Sequence, residues 1–232
     1  MKNERAAAIW VGILYIIGTA AGVGSLFFSS RVAAGAGLLK SVAENVAGVQ
    51  ITGLLVLTMG IALAAIPAII YPTLKRYSEP LAVGYVIFRG ALETLTHIGV
   101  AVCWFFLPMI AAQSTTAGAA ASAQLASLGA LAMQAPDAIG AVGSVVFSIS
   151  ALILYTVMYR ARLVPRWLAG WGLVSAVLYL AGGVITMFAP MPLLLMMPMA
   201  FQEMVMAVWL IVKGFGPGEV SPKASSLQPM AA

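Results

Sequence analysis

Four charged or polar residues fall inside apolar stretches that are otherwise typical of membrane-spanning helices. Arg89, Glu93 and His97 follow one another at intervals of four residues, so they lie along one face of a helix. Glu203 stands in a second apolar run. A charge near the centre of a bilayer costs about 2.5 to 3.5 kcal/mol on insertion scales, so such side chains are usually paired, buried in a bundle or lining a cavity. These residues are the candidates for a polar intramembrane pocket or ion pair.

The depth of each residue follows from the rise of a helix. Counted from the ends that we place on the cytoplasmic side, Arg89 lies roughly 12 Å, Glu93 roughly 18 Å and Glu203 roughly 15 Å into the membrane. The third and sixth spans would therefore bring one cation and two carboxylates into one layer. Residues predicted to support this layer are Tyr85, Thr96 and Gln202.

Three interpretations of the layer stay open. The pocket could serve transport or sensing of a small solute, an ion or a lipid headgroup, with His97 extending the polar path outward. The charges could instead only clamp the bundle of a structural or partner-binding membrane protein. A third interpretation is an intramembrane enzyme that uses Glu93 and His97 as acid and base. Transport or catalysis needs a cavity that water can reach, whereas a clamp needs a dry cluster with every polar atom paired.

Metal and cofactor chemistry has little support in the sequence. His97 is the single histidine and Cys103 the single cysteine, and neither HExxH nor the di-iron spacing occurs. Methionines around the sixth span offer thioethers that suit Cu(I), but methionine is also a common apolar filler. We predict no metal, no cofactor and no catalytic residue, and without a nucleophile or nucleotide motif an enzyme is not the favoured class.

The composition identifies the kind of protein. Of 232 residues, 62% are hydrophobic and 8% are charged, where soluble domains carry about 25% charged residues. The mean hydropathy of +1.03 agrees with an integral membrane protein in contact with the bilayer. The net charge of +5 does not indicate nucleic-acid binding, because the basic residues stand at helix ends.

Six apolar stretches are long enough to cross a membrane. We therefore predict an all-α fold, a single six-helix transmembrane domain over residues 1–215 and a short flexible cytoplasmic tail at 216–232. The first stretch is longer than the core of a signal peptide, so we expect it to be retained. The predicted spans are 7–28, 51–70, 81–107, 138–159, 168–189 and 193–212.

Two connections between the spans also carry helical patterns. Residues 31–50 have apolar positions at helical spacing, which predicts an amphipathic helix on the outer interface or an extension of the second span. The alanine-rich segment 113–136 is predicted to be helical and to lie on the interface or against the bundle.

The basic residues predict the orientation of the helices. Nine lie at one set of helix ends, and only Arg31 and Lys40 lie at the other, so both termini are expected in the cytoplasm. The nine are Lys2, Arg5, Lys75, Arg76, Arg160, Arg162, Arg166, Lys213 and Lys223.

A close-packing motif lies in the first span. Gly18 and Gly22 form a GxxxG pattern, which lets a second helix approach closely. The partner is either another helix of the same chain or a second copy in a homodimer.

Several motifs together resemble the bacterial domain of unknown function 4386 family. They cover most of the chain and are Tyr71–Glu79, Leu81–Tyr85, Arg89 with Glu93, Leu163–Leu168, Pro198 with Glu203 and Trp209, and Lys213–Phe215. The resemblance implies a six-helix protein of the bacterial cytoplasmic (inner) membrane. It also implies that Arg89, Glu93 and Glu203 belong to the family pattern, and it supplies no reaction, cofactor or ligand.

Overall fold

The structure, a computed structural model, describes residues 2–190 and 192–217, and in this part of the chain every regular element is a helix. A 3₁₀ turn at Gly35–Gly37 precedes α2, and a π-helical segment at Val86–Leu92 joins α4 to α5. The helices are α1 (Lys2–Ser29), α2 (Leu38–Glu44), α3 (Val46–Lys75), α4 (Glu79–Tyr85), α5 (Glu93–Ser114), α6 (Ala119–Arg160), α7 (Arg166–Thr186) and α8 (Leu193–Val212).

Six spans are present, as the sequence predicts. The candidate spans are α1, α3, the continuous α4–π–α5 helix, α6, α7 and α8. The sixth span has the predicted bounds, 193–212. The first, second, third and fifth spans differ from the predicted bounds by a few residues at one end or both, and the fourth differs by more. The fold is therefore an all-α bundle of a multi-pass membrane protein. Of the predicted tail, residues 218–232 lie outside the described residues.

The largest difference from the predicted boundaries is at α6. The helix has 42 residues and begins at Ala119, whereas the fourth span was predicted at 138–159. The alanine-rich segment is thus helical but continuous with the fourth span, because alanine has the highest helix propensity and Pro136 does not end the helix. At 1.5 Å per residue α6 is about 63 Å long, about twice the thickness of a bilayer core.

The extended part of α6 is covered by the connection between α1 and α3. In that connection Asn45 breaks the predicted 31–50 helix, so α2 is a separate helix rather than an extension of α3. A Cβ on Gly129 of α6 would lie 2.7 Å from a methyl carbon of Leu39. Leu38 and Val42 of α2 are buried with Trp104 and Leu107 in a second, smaller core. This end of the molecule therefore has its own apolar packing.

The six spans form a closed ring. Each packs on the next in chain order, and α8 returns to α1. At this closing contact a Cβ on Gly12 would lie 2.6 Å from the carbonyl oxygen of Ala207, so only glycine allows the observed approach. The middle of the ring is filled by large buried side chains, among them Tyr15, Arg89 and Tyr155.

Polar contacts tie together the helix ends that carry most of the basic residues. Arg5 donates to the carbonyl oxygens of Leu210, Ile211 and Val212 at the end of α8, where the last carbonyl groups of a helix lack the usual intrahelical donors; the Leu210 oxygen also accepts from the amide of Gly214. Glu4 pairs with Arg76 at the end of α3. These contacts join the ends of α1, α3 and α8 at the predicted basic face, whose cytoplasmic location remains a prediction.

The glycine motif of α1 packs inside the chain. Added Cβ atoms would lie 2.8 Å from Leu63 at Gly18 and 2.9 Å from Met59 at Gly22. Both neighbours belong to α3, so the motif serves the α1–α3 contact. A homodimer through Gly18 and Gly22 remains a prediction.

Candidate functional site

The centre of the ring holds what we call the arginine cluster, which consists of Arg89, Glu93 and Glu203. Arg89 Nη1 donates to both carboxylate oxygens of Glu93, at 2.9 and 3.0 Å. Its Nη2 lies 3.4 Å from Glu203 Oε1. The structure thus joins the third and sixth spans through the residues that the sequence placed in one layer.

The cluster is buried unevenly. The exposed fraction of the side chain is 2% for Arg89 and 5% for Glu93, but 16% for Glu203. When all three groups are ionised, the cluster carries one more negative than positive charge. An unbalanced charge in a medium of low polarity is costly. The cluster would therefore be stabilised by one added positive charge.

A π-helical segment positions Arg89. Residues Val86–Leu92 form wide turns between α4 and α5, and Arg89 is the buried residue of this segment. Opposite it, Pro67 of α3 lies 3.6 Å from the position that a Cβ on Gly90 would take. Single π turns within α-helices occur frequently at functional sites. The sequence gives no recognisable signal for this segment.

Aromatic side chains surround the guanidinium group. Its Cζ lies 4.8 Å from the ring centre of Phe147 and 5.8 Å from that of Tyr15. Tyr85 and Tyr155 line the same crevice. A desolvated cation over aromatic faces gains roughly 2 kcal/mol. Sequence reasoning named Tyr85 but missed the other three, because an aromatic residue in an apolar helix is ordinarily lipid-facing or packed.

Two buried polar atoms at the centre have no hydrogen-bond partner. They are the hydroxyl oxygen of Tyr85 and Nε of Arg89. The crevice beside them has about 150 Å³ of empty space and is too narrow at every point for a water molecule. Unsatisfied buried groups are uncommon and point to strain, a missing water or ion, or a functional role. In this conformation the centre is closed but not fully satisfied.

The other predicted residues lie near the cluster without joining its charged side chains. Thr96 Oγ1 donates to the backbone carbonyl of Glu93 at 2.7 Å, and His97 Nδ1 lies 2.9 Å from the same oxygen. The His97 ring packs beside Gly60 of α3. Neither residue is bonded to the Glu93 carboxylate, so the geometry offers no acid–base pair between Glu93 and His97.

Gln202 belongs to a neighbouring polar chain. Tyr155 Oη donates to Gln202 Oε1 at 2.6 Å, and Gln202 Nε2 donates to the carbonyl oxygen of Leu168 at 3.2 Å. This chain joins α6, α7 and α8 next to the arginine cluster. It holds the Tyr155 ring at the crevice, where a glycine of α7, Gly172, leaves room for it.

We expect Gln202→Leu to destabilise the bundle by about 1 to 3 kcal/mol, because the buried Tyr155 hydroxyl would lose its acceptor. The midpoint of thermal unfolding in detergent measures this. Adding Tyr155→Phe removes the unpaired hydroxyl, so the double variant should regain much of the loss. A double variant no more stable than Gln202→Leu would show that the hydroxyl is not the cause.

The comparison with protein-family models finds a match that covers most of the chain. The family model described as domain of unknown function (DUF4386) matches residues 10–214. The chain belongs to this family. The match of DUF4386 extends from α1 to just beyond α8, so it includes all six spans and the arginine cluster. Searches of curated proteins and of solved structures find no match.

This DUF4386 chain is a multi-pass membrane protein of an uncharacterised family. Within the described residues, no group of three or more His, Cys, Asp or Glu side chains lies close enough to hold a metal ion. The chemistry of its centre is therefore that of a guanidinium group, two carboxyl groups and phenol hydroxyls.

Proposed function

We propose that this protein is a carrier or sensor for a small solute or ion in the bacterial cytoplasmic membrane. In this proposal the arginine cluster takes up a proton or another monovalent cation as part of its cycle. The observation that carries the proposal is the count of charges: one guanidinium group faces two carboxylates at the centre of a membrane-spanning ring. A cluster that served only as a clamp needs one carboxylate as the partner of Arg89. Glu93 already fills that role with both of its oxygens, so a clamp does not need Glu203.

Glu203 is the group that we assign to the exchange. It makes the longer contact with Arg89, and its side chain is the most exposed of the three. Titratable groups face it from four spans: Tyr15 is on the first span, Tyr85, Arg89 and Glu93 are on the third, Tyr155 is on the fourth and Tyr179 is on the fifth. Apart from Arg89, none of these residues offers a positive charge. The excess negative charge is therefore neutralised only by an added cation.

The unpartnered atoms agree with a centre that changes its contacts. Tyr85 Oη and Arg89 Nε are both buried beside Glu203 and both are unpaired in the closed state. Opening the crevice would give them a solute or water as a partner. The π-helical turns that hold Arg89 belong to a type of segment that occurs frequently at functional sites.

A second candidate is a structural membrane protein in which the cluster only clamps the bundle. One observation favours it, namely that the crevice is too narrow for a water molecule. The two candidates differ in one consequence: a clamp has no need to exchange a proton or a cation with the medium.

Proton movement across reconstituted vesicles tests the proposal. We expect vesicles containing the wild type to acidify or alkalise faster than empty vesicles when a membrane potential is imposed, as reported by an entrapped pH-sensitive dye. Glu203→Gln keeps the shape of the side chain and removes its exchangeable proton, so it should fall to the rate of empty vesicles.

The matched control is Glu79→Gln. Glu79 is an exposed carboxylate paired with Lys75 at the end of a helix, so its replacement removes the same charge away from the centre. It should leave the flux at the wild-type rate. The carrier proposal would be refuted, and the clamp favoured, if wild-type vesicles behaved like empty ones. This result would have to hold for protons and also for potassium or sodium as the added cation.

A further inference from the structure

A separate basic pocket lies where α6, α7 and α8 end on the predicted cytoplasmic face. Its cavity measures about 280 Å³ and opens to the surface. The exposed side chains of Arg162, Arg166 and Lys213 line it, and no acidic residue is among the described lining residues. The apolar part of the lining includes Val164, Trp209 and Phe215. Neither the arginine cluster nor the proposed exchange uses any of these residues.

The backbone builds this pocket specifically. Arg162 adopts a left-handed conformation with φ of 53°, which is unusual for a residue with a side chain. After α8 the chain turns at Gly214, with φ of 77°, and the amide of Gly216 donates to the carbonyl oxygen of Leu163 at 2.7 Å. The segment after α8 is thereby held against the α6–α7 turn, and the pocket lies between them.

The electrostatics of the pocket favour an anion. Arg166 and Lys213 both line it, and the first residue of the 21-residue helix α7 adds the positive end of a helix dipole. The opposing negative end of α8 is covered, because Arg5 donates to its last three carbonyl oxygens. A phosphate group suits this arrangement, since guanidinium and ammonium groups both bind phosphate oxygens.

The position of the pocket identifies the source of the phosphate. The pocket lies at the ends of three spans, at the level where lipid headgroups begin. Trp167, 57% exposed, packs edge-to-face on Trp209 with ring centres 6.3 Å apart. Tryptophan is enriched at this depth because its ring is amphipathic. Basic pockets between spans on the cytoplasmic side are typical sites for anionic lipid headgroups.

We propose that this pocket binds the phosphate headgroup of an anionic phospholipid, with Arg166 and Lys213 on the phosphate and with Trp209 and Phe215 against the glycerol and first acyl carbons. Bound lipid would join the α6–α7 turn to the end of α8. This proposal is independent of the proposed function.

Fluorescence quenching by labelled lipid tests the site. The full chain is reconstituted in phosphatidylcholine vesicles that contain a small fraction of either brominated phosphatidylglycerol or brominated phosphatidylcholine, and tryptophan emission is measured. We expect the phosphatidylglycerol to quench at lower lipid fractions. The part of the quenching that disappears in Trp209→Phe reports on the pocket.

Paired substitutions separate a site from general surface charge. Arg166→Gln with Lys213→Gln should weaken the apparent affinity for phosphatidylglycerol by about 25-fold, or about fivefold for each basic residue. Lys75→Gln with Arg76→Gln removes the same charge from the same face. That variant should stay near the wild type, because Lys75 and Arg76 are already paired with Glu79 and Glu4.

Three results would overturn the proposal. Equal quenching by the two lipids would show no preference for an anionic headgroup. An equal loss in both paired variants would show general attraction to the surface rather than a pocket. Displacement of the lipid signal by millimolar inorganic phosphate would assign the pocket to a soluble anion, if phosphate alone also stabilised the protein against thermal unfolding as much as the lipid does.

Discussion

Replacing Arg89 with methionine is expected to destabilise the folded bundle by about 3 to 5 kcal/mol, because two buried carboxylates would lose their cation. The guanidinium group makes three contacts with Glu93 and Glu203, and its side chain is 2% exposed. Among the residues that the structure describes, no other basic side chain lines the crevice and could take its place. The midpoint of thermal unfolding in detergent, followed by loss of the monomer peak in gel filtration, measures the effect.

Arg31→Met is the control for this prediction. Arg31 is exposed and lies 4.3 Å from the Phe27 ring, outside the arginine cluster, so its loss should have a small effect. A further variant combines Arg89→Met with Glu93→Leu and Glu203→Gln, which removes every charge of the cluster. Replacing all members of a buried ion cluster is often close to neutral, so this variant should recover most of the stability. If Arg89→Met costs no more than Arg31→Met, the cluster is not a buried charge network.

Gly12→Ala is expected to cost about 1 to 3 kcal/mol, because a methyl group would overpack the contact that closes the ring. The added Cβ would lie 2.6 Å from the carbonyl oxygen of Ala207 and 2.7 Å from a side-chain carbon of Ile211. The backbone oxygen cannot rotate away, so α1 and α8 would have to separate. That separation also moves Tyr15 on α1 and Glu203 on α8, and both line the central crevice.

Gly140→Ala provides a matched control in another span. Gly140 lies within α6, and an added Cβ there would meet nothing within 4 Å. The same substitution should therefore stabilise the helix by about 0.5 to 1 kcal/mol. Thermal midpoints of the two variants should move in opposite directions. A Gly12→Ala protein as stable as Gly140→Ala would mean that α8 does not close against α1.

Much of the fold could be predicted because few backbone structures can satisfy their own hydrogen bonds inside a membrane. Length and hydropathy identify all six spans, and Pro192 and the charge of Lys213 bracket the sixth at its observed bounds. The helix α6 begins before the predicted span 138–159, because hydropathy measures suitability for lipid, whereas the helix continues wherever alanine permits. Helix propensity, not hydropathy, determines the extension that begins at Ala119.

The central site was predictable in its charged part only. Arg89, Glu93 and Glu203 were identified from energetic cost, since an unpaired charge in a bilayer must find a partner. Tyr15, Phe147 and Tyr155 were not, because their role depends on which helices are neighbours in the ring. The packing order of α1, α6 and α8 is a tertiary property that no local pattern encodes.

The central claim is that Glu203 exchanges a proton with the medium while Arg89 and Glu93 remain paired. Infrared difference spectroscopy of the reconstituted protein tests it most directly, because a protonated carboxyl group gives a carbonyl stretching band that a carboxylate lacks. We predict that such a band changes reversibly with pH in the wild type and in Glu79→Gln, and that it is absent in Glu203→Gln. A band that persists in Glu203→Gln, or a wild type without any such band across the pH range where the protein is folded, would contradict the account.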